Sequence, residues 1–417
     1  MVREGRWRLL PRGIYECVNC KHREVLDKTQ PLLPGRCPVC GGDMILVGYE
    51  LDIEEEEKPS FEDFLREHYD LGELIEHRGE VYAYEVLGIK TENFEEVLRE
   101  AEKFGYWLAL KRREGKIVLY VFPAQLYEDK ENPLVGIALF ILTLLSTFFA
   151  GYILSLNYVK TLEDLNLPGI KNLYLNALAF SLGIISILGS HEMGHKIAAT
   201  IHNVKSTFPY FIPFPSFIGT LGAIIRVKSP IPTRNAAIDL GASGPLVGLI
   251  VAIPVTAIGL RLSPLVPVDY LQGEGTIYFG MNLIFYGLSK LVIGDVPEGF
   301  GIILHPLAIA GWVGILVTFL NLLPAAQLDG GHIARAFLPE KVHRVLTYAL
   351  GFVAIGLSYL WPGWFLWGLL ILIMGRVGNP GALDEVTPLT WSRKVLAIII
   401  WAVFIASATL VPFSTSS

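Results

Sequence analysis

The sequence predicts a polytopic α-helical membrane protein with a re-entrant β segment and a small soluble head, and three observations predict it. Charge is divided unevenly along the 417 residues: those up to Asn132 hold 19 Lys and Arg against 28 Asp and Glu, the remainder 15 against 12. Hydrophobic residues make up 52 % of the chain and mean hydropathy is +0.47. Past Asn132, apolar runs of about 20 residues recur, the length that crosses a bilayer. Third, all four cysteines lie in the acidic head. Residues 1–40 lack the apolar core of a cleavable signal peptide, and a net charge of −6 suggests no nucleic-acid surface.

The head begins with Cys17, Cys20, Cys37 and Cys40, two C-x2-C pairs separated by 16 residues, with Pro38, Gly41 and Gly42 supplying turns. This spacing predicts a zinc ribbon over 1–50, whose four thiolates close the shell around a structural Zn²⁺. Thiolate ligation implies a reducing cytoplasm; two disulfides or a redox pair are the alternative. Residues 51–60, with Glu54 to Glu57, Lys58, Pro59 and Ser60, read as an acidic linker. A small α/β domain follows over 61–132: Val81 to Leu87 alternates like a strand, Phe94, Val97, Leu98 and Ala101 have helical spacing, and Trp107 to Leu110 with Ile117 to Phe122 resembles a hairpin. His68 and His77 sit among ordinary surface charges, so docking or regulation fits this domain better than chemistry.

The membrane domain, 133–417, has apolar runs near 134–156, 173–199, 238–260, 303–323, 344–360, 364–377 and 394–411, with 276–293 interfacial or re-entrant. Basic residues such as Lys205, Arg226, Arg234, Arg335, Arg344 and Arg393 then fall on the side of the head. The opposite loops carry mainly Asp269, Glu274, Asp295 and Glu298. The positive-inside rule therefore makes this an integral multi-pass cell-membrane protein with a cytoplasmic head.

One span carries polar chemistry. Leu173 to Ile201 contains His191, Glu192 and His195 as H-E-M-G-H. Four residues of helix put both imidazoles on one face, about 6 Å apart, where they can share one Zn²⁺. Glu192 is set to take a proton from water instead of ligating. Such groups inside a membrane cost several kcal/mol unless they face a cavity, a partner or a metal, which argues against an accidental match. A catalytic zinc needs a third protein ligand. Asp329 in N-L-L-P-A-A-Q-L-D-G-G-H, ending a later span on the same side, supplies it, with His332 as rival. His202 lies two turns past His195, too far for the same metal, and His305, 24 residues before Asp329, belongs near the other membrane face as a packing residue. Asn321 admits two roles: a helix–helix hydrogen bond, or holding the substrate carbonyl or developing oxyanion. Pro324 should bend or end its helix.

The two motifs together resemble the site-2 protease family of intramembrane zinc metalloproteases, over roughly 130–390, with Ser243, Gly244, Pro245, His305 and Pro306 as further similar features. The resemblance implies that His191, His195 and Asp329 bind zinc and that Glu192 is the base. The cytoplasmic head departs from relatives with an outer PDZ domain or a CBS pair, and looks closest to archaeal and plastid members. A transmembrane protein substrate within the lipid bilayer is implied, cleaved by regulated intramembrane proteolysis. A membrane metal transporter or zinc sensor is the alternative; transport would not require the base.

Between the second and third spans, Pro209, Pro213 and Pro215 prevent a continuous helix, and Ile218 to Val227 suggests a short re-entrant strand or hairpin. Its edge would bind an unwound peptide by main-chain hydrogen bonds. Gly241, Gly244 and Gly248 mark close helix packing.

Overall fold

The computed structural model describes residues 7–26, 36–55, 60–124, 132–271 and 276–415. The chain divides into two compact units, Met1–Asp70 and Leu71–Ser417.

In the first unit, β1 (Trp7–Cys17) is flanked by β2 (Arg23–Leu26) and β3 (Met44–Glu55) in an antiparallel sheet of order β2-β1-β3. β3 runs through Glu55, so the acidic stretch starts as strand and not as linker. β-Pairing with Trp7–Pro11 outweighs the solvated look of its carboxylates. Glu56 to Pro59 lie outside the described residues. Helix α1 (Phe61–His68) opens on a reciprocal cap between Ser60 and Asp63.

The second unit contains a four-stranded sheet of β4 (Tyr69–Arg78), β5 (Val81–Ile89), β6 (Tyr106–Arg113) and β7 (Lys116–Pro123), ordered β4-β5-β7-β6. Helix α2 (Phe94–Lys103), capped by Asn93, buries Phe94, Val97, Leu98 and Ala101, the four residues spaced for one face.

The helical part is built from α3 (Pro133–Asp164), α4 (Leu173–Ile201) and α5 (Arg234–Arg261), the three helices long and apolar enough to cross a membrane among the described residues. The others are shorter or less apolar: α6 (Leu283–Val292), α7 (Pro306–Asn321), α8 (Asp329–Phe337), α9 (Glu340–Leu357), α10 (Gly363–Val377) and α11 (Trp391–Ser407). Each of the seven apolar runs contains a helix, but those after α5 are shorter or less apolar than the runs suggested, because loop residues such as Ile303 and Leu304 before α7 are themselves apolar. At about 1.5 Å per residue, α7 is about 24 Å long, short of a hydrocarbon core of about 30 Å. It is nevertheless the most enclosed helix, with Trp312 and Ile315 fully buried, between α4 and α5. Strands β8 (Tyr210–Pro213) and β9 (Thr220–Ile224) form an antiparallel hairpin where the prolines forbid helix.

Candidate metal centre

Helix α4 delivers two imidazoles to one point. His195 Nδ1 lies 2.7 Å from the Leu240 carbonyl oxygen. A carbonyl only accepts, so Nδ1 carries the hydrogen and Nε2 of the neutral ring is a bare electron pair. His191 Nε2 is 3.1 Å from that atom. Asp329, the first residue of α8, brings Oδ2 to 3.3 Å from His191 Nε2 and Oδ1 to 3.3 Å from His195 Nε2.

Three possible ligand groups thus face one another closely enough to share one cation. Bonds of about 2.0–2.1 Å to a tetrahedral Zn²⁺ would separate its ligands by about 3.3 Å, which matches the three spacings. Asp329 Oδ2 is also buried with no hydrogen-bond partner, the state of an oxygen whose partner is a metal. His–His–Asp is a zinc donor set, so the residues present fit the ion. The rival His332 turns away, its Nδ1 3.3 Å from Asn379 Nδ2.

Helices α4 and α8 are seated against α5 through glycines. A Cβ on Gly194 of α4 would lie 2.6 Å from the Ser243 carbonyl oxygen of α5, and one on Gly241 of α5 the same distance from that of Asp329. A Cβ on Gly244 would run into the His195 ring, and one on Gly248 would come within 3.1 Å of His191 Cβ. The small-residue run is therefore the bed of the centre itself. The loop after α7 is held as tightly, since side chains at Gly330 and Gly331 would strike the Leu322 and Ala325 carbonyls. Helix α7 stops at Asn321, ahead of Pro324.

Glu192 is 8 % exposed, and its Oε2 accepts a hydrogen bond of 2.7 Å from the Ile225 backbone N–H. That donor sits one residue past β9, so the hairpin fixes the carboxylate. No side-chain pattern announces a main-chain donor, which is why sequence reading missed it. Asn321 Nδ2 is 3.4 Å from His191 Nε2, a contact between α7 and α4 that places its amide beside the centre.

Two other histidines considered as ligands have partners elsewhere. His305 caps α7, with Nε2 3.0 Å from Asn176 Oδ1, and is fully buried. His202 lies between Glu95 and Asp239.

The first unit holds the other cluster. Cys17 Sγ is 3.4 Å from Cys40 Sγ and Cys20 Sγ 3.5 Å from Cys37 Sγ. These separations are too long for a disulfide bond of about 2.05 Å and near the edge of about 3.8 Å expected of a ZnS₄ tetrahedron. A backbone N–H from Cys20 pulls the Cys17 thiol down to about 6, while, against a backbone hydrogen bond from His22, the neighbouring sulfurs push the Cys20 thiol up to about 12, so the first thiolate settles on Cys17.

Comparison with known proteins follows the same lines. The family model "Peptidase family M50" matches residues 179–357. The chain is 32 % identical over 295 residues to the "Probable zinc metalloprotease EGY1, chloroplastic" of Arabidopsis thaliana, covering 67 % of this chain and 53 % of that protein. It is 31 % identical over 272 residues to "EGY2, chloroplastic" of the same plant, covering 63 % and 47 %. The chain spans about half the length of these curated relatives. Among solved structures, the "Site-2 Protease from Methanocaldococcus jannaschii" aligns with 18 % identity and a TM-score of 0.31 over 58 % of this chain and 92 % of that one. The stretch 179–357, which holds both histidines, Glu192, Asn321 and Asp329, belongs to Peptidase family M50, the site-2 protease family.

Proposed function

We propose that this chain is an intramembrane zinc metallopeptidase that hydrolyses a peptide bond in or next to the transmembrane helix of a membrane-protein substrate. In this reading it is a multi-pass cell-membrane protein with a cytoplasmic head, the β8–β9 hairpin re-enters the bilayer, and the four-cysteine cluster holds a second, structural zinc. One observation carries the proposal: three metal-facing donor atoms with a shielded carboxylate, Glu192, on the same helix turn.

His191, His195 and Asp329 would hold the catalytic ion. Bound there, zinc supplies a Lewis acid that polarises a carbonyl and makes a neighbouring water more acidic. Glu192, steadied by the Ile225 N–H, takes the proton from the attacking water and returns it to the leaving amine. The Asn321 amide, which lies beside His191, would donate to the oxygen on which negative charge develops. A substrate helix must unwind first, because its amides are hydrogen-bonded and shielded. The outer edge of β9 has no strand partner among the described residues and would accept the released segment as an added strand.

The test is quantitative membrane proteomics of cells expressing wild type or Glu192→Ala. Uncleaved single-span precursors should accumulate in the variant; equal precursor profiles would count against the proposal.

A further inference from the structure

The α/β subdomain and the metal centre lie in one compact unit, and the links between them converge on the two ligand-bearing helices. Edge strand β6 continues by main-chain pairing into the segment after α10: Leu110 N–H donates to the Leu383 carbonyl at 2.9 Å, and Glu385 N–H to that of Leu110 at 3.0 Å. The same segment pairs on its other side, with Leu383 N–H donating to the Ile231 carbonyl at 2.8 Å and Asp384 N–H to that of Pro232 at 2.9 Å. The path from Ile225, which holds Glu192, to α5 is thereby fastened to the sheet.

Side chains complete two further links. Glu385 Oε1 accepts from Lys111 Nζ of β6 at 2.7 Å and from Arg335 Nη2 of α8 at 2.5 Å. Arg335 is 5 % exposed, and α8 is the helix that Asp329 leads. Glu95 of α2 lies 3.0 Å from His202 Nδ1, directly after α4, while Asp239 of α5 lies 2.9 Å from His202 Nε2. Carboxylates only accept, so both ring nitrogens donate and His202 is an imidazolium clamped between two helices. Glu95 Oε1 accepts as well from Thr233 Oγ1 at 2.9 Å, at the cap of α5.

We propose that the α/β subdomain is a positioning element for the metal centre, holding α4 through Glu95 and His202 and α8 through Lys111, Glu385 and Arg335. It touches no metal ligand. It sets the registry of two helices whose donor atoms must converge within a few tenths of an ångström, which is where outlying contacts act on metal affinity. The inference rests on the assignment of His191, His195 and Asp329 as ligands, and on nothing in the substrate.

The test alters the subdomain side alone, because removing Glu385 would strand Arg335 as a buried unpaired charge. Lys111 and Glu95 are partly exposed, at 28 % and 24 %. Full-length Lys111→Ala/Glu95→Gln protein in lipid nanodiscs is compared with wild type by hydrogen exchange and by Co²⁺ titration. Binding at the histidine centre is read from d–d bands free of thiolate charge transfer, and the four-cysteine cluster serves as internal control. Expected are faster exchange at Leu110, Leu383 and Glu385, and a loss in cobalt affinity at the histidine centre of about 10-fold. The affinity of the cysteine cluster should be unchanged, and Lys111→Arg with Glu95 intact should restore wild-type values. On a peptide probe, kcat should fall with KM held within about twofold. Faster exchange with unchanged cobalt affinity would reduce the links to mere attachment and overturn the proposal. Amides that stay protected would overturn it too, since the two side chains would then not hold the subdomain. A wild type that binds cobalt and cleaves nothing would defeat the peptidase reading while leaving this one intact.

Discussion

The two metal-fit clusters of this chain differ in how they are made. The four-cysteine cluster comes from two short turns next to one small sheet. Its four sulfurs lie within 4.8 Å of one another, and four thiolates on one zinc would leave no open position. The histidine centre takes two donors from α4 and a third from α8, with α5 as the surface that sets their approach. Holding zinc, it would offer three protein ligands, beside the carboxylate of Glu192. The difference teaches where reactivity resides: a saturated shell can be built locally, whereas a reactive one needs distant elements to hold a shortfall of ligands in place.

The sharpest way to break the comparison is to remove the group that only the histidine centre has. Glu192→Ala should reduce cleavage by about 10²- to 10⁴-fold, the range for general acid–base catalysis. Both metals should stay bound, as counted by elemental analysis of purified protein. Retained cleavage would strip Glu192 of its role as base.

Next in size is a change in the bed. In Gly244→Ala the new methyl occupies the place of the His195 ring, so the imidazole must swing away from His191. We expect zinc content to fall from two per chain towards one, and turnover to drop by about 10- to 100-fold. The zinc of the cysteine cluster should be untouched. The complementary change, Cys40→Ser, should empty the ribbon and raise hydrogen exchange across β1 and β3. Cleavage should stay within a few-fold of wild type. A collapse of cleavage in Cys40→Ser would merge the two clusters functionally and end the contrast.

That contrast also explains what the sequence could disclose. The cysteine spacing and H-E-M-G-H are local patterns, and the four cysteines and the two histidines each come together as a cluster. Strand β5, helix α2 and the β6–β7 hairpin are legible for the same reason, since periodicity reports a face. Asp329 required a second motif in another helix, because carboxylates are common and nothing local marks one as a ligand. The Ile225 N–H and the Leu240 carbonyl were invisible, as every residue has such groups. Helix α1 has an apolar face in Phe61, Phe64 and Leu65 but runs for only eight residues, and strand β4 is interrupted by Gly72, so neither offers a pattern long enough to stand out. The glycines of α5 looked like helix packing, and only the position of His195 against Gly244 turns that packing into site geometry.

The smallest expected effect is on pH, and here the two regions should move in opposite directions. His202 lies just past the end of α4. Hydrogen bonds to Asp239 and then Glu95 raise it from 6.5 to about 9, against the opposing cost of burial. Arg393, facing it from α11 through Asp239, is the remaining charge of the cluster. Because the folded value lies above the unfolded one, the stabilisation is complete below about pH 6.5, declines between, and is gone once pH has risen through 9. Docking of the α/β subdomain should therefore loosen as the solution becomes alkaline, seen as faster exchange at Leu110 and Leu383 between pH 7 and 9.5 after correction for intrinsic rates. His202→Gln should flatten that dependence, since the amide keeps a donor but cannot titrate. The ribbon runs the other way. Its thiols must lose protons to bind metal, and with Cys17 drawn down to about 6 its zinc affinity should climb as pH rises from 5 to 8. Exchange at Leu110 that ignores pH in wild type would show that the His202 imidazolium bears none of the load between subdomain and helices.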